Sequence, residues 1–109
     1  MVFVAWIYLL VAGLFEVVWA YSMKRSDGFT RLWPTVITAG TMFASLALLS
    51  LAMRSLPLGT AYTVWTGVGA IGAFVVGIVV LGEPMTIMRL VAGVLIVTGL
   101  VLMKLSSTH

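Results

Sequence analysis

Charged residues divide this chain into apolar stretches about as long as a membrane is thick. Residues 32–53 lie between Arg31 and Arg54 without a charge, and residues 55–82 lie between Arg54 and Glu83 in the same way. Residues 1–23 hold one charge, Glu16. Residues 90–103 run uncharged from Arg89 to Lys104. A spanning helix needs about 20 predominantly apolar residues, which the first three stretches supply. The fourth, at 14 residues, reaches that length if its helix starts near Thr86 and Arg89 snorkels to the interface. The expected fold class is an all-α membrane protein, one domain over 1–109 with four transmembrane helices near 3–23, 33–54, 58–81 and 85–105. Pro34, Pro57 and Pro84 suit helix starts. Trp6, Tyr8 and Trp33 fall near span ends, where aromatic belts form.

Composition agrees. The chain is 62% hydrophobic and 8% charged, whereas a soluble domain carries roughly 25% charged residues. Six basic residues produce the net charge of +3 without forming a basic stripe, so nucleic acid is not an expected partner. No cysteine is present for a disulfide framework. The first span is not preceded by Lys or Arg, which argues against a cleaved signal peptide.

An even number of spans places both termini on one side. The first and third loops hold Lys24, Arg25, Arg31 and Arg89; the opposite side holds Arg54 and Lys104. The positive-inside rule therefore favours cytoplasmic first and third loops by only two charges, a bias compatible with insertion both ways. Four short helices make a thin bundle with little room for a polar pathway, so an oligomer is the expected working unit.

Glu16 is the position where chemistry is expected. An ionisable residue at bilayer depth is costly and marks a functional site. Out of water its charge calls for a proton or a cation, and binding one weakens the other. That competition is the minimum requirement for proton/cation exchange. A guanidinium suits a carboxylate through two parallel charge-assisted hydrogen bonds, and a quaternary ammonium relies on charge and aromatic faces. At helical spacing Glu16 is flanked by Ala12, Gly13, Trp19 and Ala20, small residues on one side and an aromatic on the other. Trp19 serves equally as an interfacial anchor or as a wall stacking on a cation. Ser45 is mid-span among Thr38, Thr41 and Ser50; such hydroxyls usually bond the carbonyl one turn back, and Ser45 also suits a bond to the carboxylate. Tyr62 and Trp65 lie one turn apart on the third span, either lining a cation site or packing between helices.

Other patterns carry less. Gly67-Val68-Gly69-Ala70-Ile71-Gly72 matches a dinucleotide fingerprint but lies inside an apolar span, with no preceding strand and no acidic residue about 20 positions on. Gly69, Ala73 and Gly77 instead follow a small-xxx-small spacing for close helix approach, and Gly67 with Gly69 suits a bend. The fourth span is expected to pack, with contacts between subunits among its options. His109 stands alone and suggests no metal site. No cofactor site and no catalytic set is visible, so an enzyme is not expected.

The glutamate in A-G-L-F-E-V-V-W-A (12–20), the loop K-R-S-D-G-F-T-R-L-W-P (24–34), L-P-L-G-T-A-Y-T-V-W-T-G-V-G-A (56–70) and the tail M-K-L-S-S-T-H (103–109) together resemble the small multidrug resistance family of transporters over essentially the whole chain. Trp19, Ser45 and W-T-G-x-G-A at 65–70 resemble its guanidinium exporter subtype. The resemblance implies an antiparallel, dual-topology homodimer in a bacterial cell membrane, with one cavity shared by both glutamates and guanidinium export driven by protons. It implies that Glu16 binds proton and substrate alternately and that Ser45 and Trp65 hydrogen-bond it. Trp19 and Gly13 would shape the site, and Tyr62 would line the cavity. Tyr21-Ser22-Met23 and Thr63 depart from the subtype's usual residues. Two other readings stand beside this one: a broad exporter of quaternary ammonium and other hydrophobic cations, and a non-transporting scaffold subunit in which Glu16 is a buried hydrogen-bonding group.

Overall fold

A computed structural model describes residues 2–106; His109 and the last residues of the tail motif lie outside the described residues. Four helices follow in order: α1 (Val2–Arg25), α2 (Leu32–Ala52), α3 (Leu58–Val79) and α4 (Ile87–Ser106). At 20 to 24 residues each, they extend about 30–36 Å at 1.5 Å per residue. All four are long and apolar enough to cross a membrane. Their apolar residues run round the whole circumference rather than along one stripe, as lipid on the outside and helices on the inside require.

The helix ends differ from expectation where local capping decides them. Pro57 is the N-cap of α3, with an extended backbone at ψ 153°. Pro34 falls within the first turn of α2, after Leu32 and Trp33. Pro84, expected to open α4, lies outside it. Thr86 does the capping: its hydroxyl accepts the Arg89 N–H at 3.2 Å, and its carbonyl accepts that of Leu90 at 2.9 Å. Arg89 does not extend freely to the interface; it pairs with Glu83 at 3.1 Å and lies 5.4 Å from the Phe74 ring.

The first loop is wound on Ser26, which is fully buried. Its hydroxyl donates to Met23 O at 2.7 Å and accepts the Phe29 N–H at 3.1 Å. Its carbonyl accepts the Thr30 and Arg31 N–H groups. This curl holds Asp27, Gly28 and Phe29 all at positive φ, a conformation only glycine adopts without strain.

α1 is the hub, packing against α2 and α3, while α4 packs on α3. α1 and α3 run parallel. A Cβ at Gly13 would collide with Val68, and one at Gly72 would collide with Val17, so these glycines set how closely the two axes approach. Gly67 and Gly69, which suit a bend point, lie inside a helix that runs from Leu58 to Val79. A Cβ at Gly67 would strike Leu100 of α4. Lipid offers no hydrophobic drive to association, so small residues that admit close packing hold such helices together.

The molecule is a slab with principal extents of 43 × 35 × 16 Å. Lys24 and Glu83 line one cleft, which puts the first and third loops at one end. Lys104 lies 4.6 Å over the Trp6 ring at the other. On α4 only Gly93 is buried.

If Gly67 is the contact point between α3 and α4, Gly67→Val costs about 1–3 kcal/mol by overpacking. Leu100→Ala in the same chain should recover most of that loss. Reversible unfolding of the single and double variants in mixed micelles measures the coupling, and strict additivity would contradict it.

Candidate functional site

Glu16 lies four residues beyond Ala12, in the middle of α1, on the side that meets α3. Its carboxyl rests on Gly69, where a Cβ would overlap it. Oε1 is buried and bonds nothing among the described residues. A buried acceptor without a donor costs on the order of 1–3 kcal/mol, and more when charged. Trp19, one turn further along α1, packs against the core, and its indole Nε1 is likewise buried without a partner. An unused acceptor and an unused donor therefore lie one helical turn apart.

Beneath them a hydrogen-bonded chain ties three helices. Trp65 Nε1 on α3 donates to Ser45 Oγ at 2.9 Å. Ser45 on α2 donates in turn to Ala12 O on α1 at 2.7 Å. In helical geometry the Ala12 carbonyl is also the acceptor for the Glu16 N–H, so Ser45 grips the turn that carries Glu16. Tyr62 stacks on Trp65 with ring centroids 5.5 Å apart and planes at 48°, and its ring remains half exposed.

The resemblance implies that Ser45 and Trp65 hydrogen-bond the glutamate itself; within the single chain they bond each other and the α1 backbone. Each has one proton to donate, and both are spent on the chain just described. Gly13 lies against Val68 rather than against the carboxyl, so it acts on the site through helix spacing. The other hydroxyls of α2 follow the common local pattern: Thr38 donates to Pro34 O at 2.7 Å and Thr41 to Ile37 O at 2.6 Å.

Two contributors to the site do not stand out in the sequence. The Ala12 carbonyl has no side-chain signature. Gly69 reads both as a packing residue and, four residues after Trp65, as a neighbour on the face of Tyr62 and Trp65; its contact with the carboxyl appears only in the fold.

Residues 4–97 match the profile of the family described as Small Multidrug Resistance protein. The chain is 58% identical over 105 residues to a guanidinium exporter of Escherichia coli O6:H1, covering 96% of this chain and 99% of that protein. It is 57% identical to the guanidinium exporter of Escherichia coli K12 and 56% identical to that of Salmonella typhimurium, with the same coverage.

If the Ser45 hydroxyl holds the three helices in register, Ser45→Ala leaves the Trp65 indole without its acceptor. Destabilisation of about 1–3 kcal/mol is expected. The Trp65 indole N–H resonance should also shift in an NMR spectrum. An unchanged indole signal would show that the bond is absent in the membrane.

Proposed function

The chain belongs to the Small Multidrug Resistance protein family, and from that premise we propose that it exports guanidinium in exchange for protons, with Glu16 as the exchange site. It is a multi-pass protein of a bacterial inner membrane, with four helices of spanning length and bacterial relatives that are exporters, and transport rather than catalysis is its work. The observation that carries the finer reading is the Glu16 oxygen buried without a partner. A carboxyl in that position is neutralised either by its own proton or by a cation. Guanidinium displaces the proton on binding, and a returning proton displaces guanidinium.

The surrounding residues have distinct parts in this cycle. Guanidinium is planar and donates two parallel hydrogen bonds to one carboxylate. Trp19 walls the space beside Glu16 and narrows it against bulky cations. Ser45 and Trp65 are positioning residues that hold the α1 turn, and Gly69 leaves the carboxyl its room. Gly13 sets the α1–α3 spacing, and Tyr62 lines the way in.

The proposed working unit is an antiparallel homodimer with dual topology. A slab 16 Å thick is too thin to enclose a polar route across a bilayer, and α4 is left almost wholly uncovered. The loop charges on the two sides differ by only two basic residues, too small a bias to enforce one orientation. In such a dimer the two Glu16 carboxyls share one cavity and titrate as a pair.

Proteoliposome exchange tests the reading. Glu16→Gln is expected to fold, remain dimeric and lose proton-coupled guanidinium exchange; retained coupling would sink the mechanism. Good transport of tetraphenylphosphonium with none of guanidinium would favour the broad-specificity alternative. A single cysteine introduced near the C-terminus should label from both sides of the membrane, whereas labelling from one side alone contradicts dual topology.

A further inference from the structure

We propose a second, weaker guanidinium site at Glu83, an outer station on the route between the interface and Glu16. The inference rests on guanidinium being the cargo and extends that reading to residues outside the central site.

The two carboxyls lie on one face of α3. Gly69, Ala73 and Gly77 repeat at four-residue spacing on that face. The Glu16 carboxyl rests on Gly69, and the Glu83 carboxyl rests on Gly77, each where a Cβ would collide. Eight residues of helix separate these glycines by about 12 Å. Along the outer part of this face lies a cleft of about 170 Å³ whose lining includes Val17, Tyr21, Lys24, Ala73, Val76 and Glu83. On the 69–73–77 row itself only the Ala73 methyl rises, and Val76 beside the row also lines the cleft. Beyond the cleft's lining, at the Gly69 end of the row, is the buried, unpartnered oxygen of Glu16.

The outer end already carries the chemistry of the cargo. Arg89 Nη2 donates to Glu83 Oε1 at 3.1 Å, and the Arg89 guanidinium lies 5.4 Å from the Phe74 ring centroid. A carboxylate and an aromatic face thus hold a guanidinium that belongs to the protein itself. Free guanidinium has the same planar donor set and can replace it bond for bond. Arg89 engages only one carboxylate oxygen, and Oε2 lies outside the ion pair. The two side chains are 35% and 41% exposed, and ion pairs this open contribute little, so Arg89 can be displaced. Lys24 lines the same cleft, and its ammonium opposes an incoming cation. The result is a site that binds weakly, as transit requires: favourable enough to enter, weak enough to leave.

Exchange kinetics in proteoliposomes and direct binding together test the station. Glu83→Gln should raise the half-saturating guanidinium concentration about tenfold, as expected for the loss of a charge-assisted contact. The saturated rate should fall by less than about threefold, and Glu83→Asp should restore much of the affinity. Arg89→Gln frees the carboxylate and should lower the half-saturating concentration. The Glu83→Gln/Arg89→Gln double variant should behave like Glu83→Gln. If the pair merely braces the α3–α4 turn, both single variants shift in the same direction. If the pair acts only through its field, the double variant returns to wild type. Either result overturns the station. In the Glu16→Gln background, line broadening of isotope-labelled guanidinium by the protein should persist and should vanish on adding Glu83→Gln. Its complete loss in Glu16→Gln alone also refutes the second site. Wild-type protein that exchanges no guanidinium for protons fails the central reading instead, and the binding measurement still decides the fate of Glu83.

Discussion

In hydrocarbon no water competes for a hydrogen bond between helices, and this protein places such a chain beside its one intramembrane carboxyl. Trp65 donates to Ser45 and Ser45 to the Ala12 carbonyl, so α3, α2 and α1 are joined through a single hydroxyl. The Ala12 carbonyl belongs to the helical turn that ends at Glu16. The turn that carries Glu16 is thus tied to both neighbouring helices.

Close approach of α1 and α3 is the second condition. Gly13, Gly69 and Gly72 remove the side chains that would separate the helices or collide with Val68, Glu16 and Val17. α4 contributes differently. It rests on α3 through Gly67 against Leu100 and Gly93 against Phe74, and it leaves nearly all of its remaining surface uncovered.

Several features are legible in the amino-acid order. The four spans follow from where charges fall, because charge is costly in hydrocarbon and its absence over about 20 residues is hard to explain otherwise. Glu16 stands out for the same reason. Pro57 marks the start of α3 through its fixed φ. Other details escape because they depend on partners distant in sequence. Ser45 is visible as a mid-span hydroxyl, but its partner is a backbone carbonyl 33 residues away. Gly67 suits a bend point, and that it also lies against Leu100 depends on where α4 packs. Pro84 suggests a helix start, yet Thr86 caps α4 instead. Glu83 and Arg89 are six residues apart; along the chain one marks the end of a span and the other looks like a snorkelling arginine, and only the turn between α3 and α4 makes them a pair.

The sequence by itself determined the solvent, the number of spans and the single residue that breaks the apolar rule, because transfer free energies act residue by residue and need no partner. Tertiary structure alone decided which helices touch, that Ser45 bonds the Trp65 indole and the Ala12 carbonyl, and that the carboxyls of Glu16 and Glu83 rest on Gly69 and Gly77 of α3. Those outcomes depend on hydrogen-bond donors with one proton each and on gaps the width of a missing methyl. Such constraints exist only once the helices are set side by side.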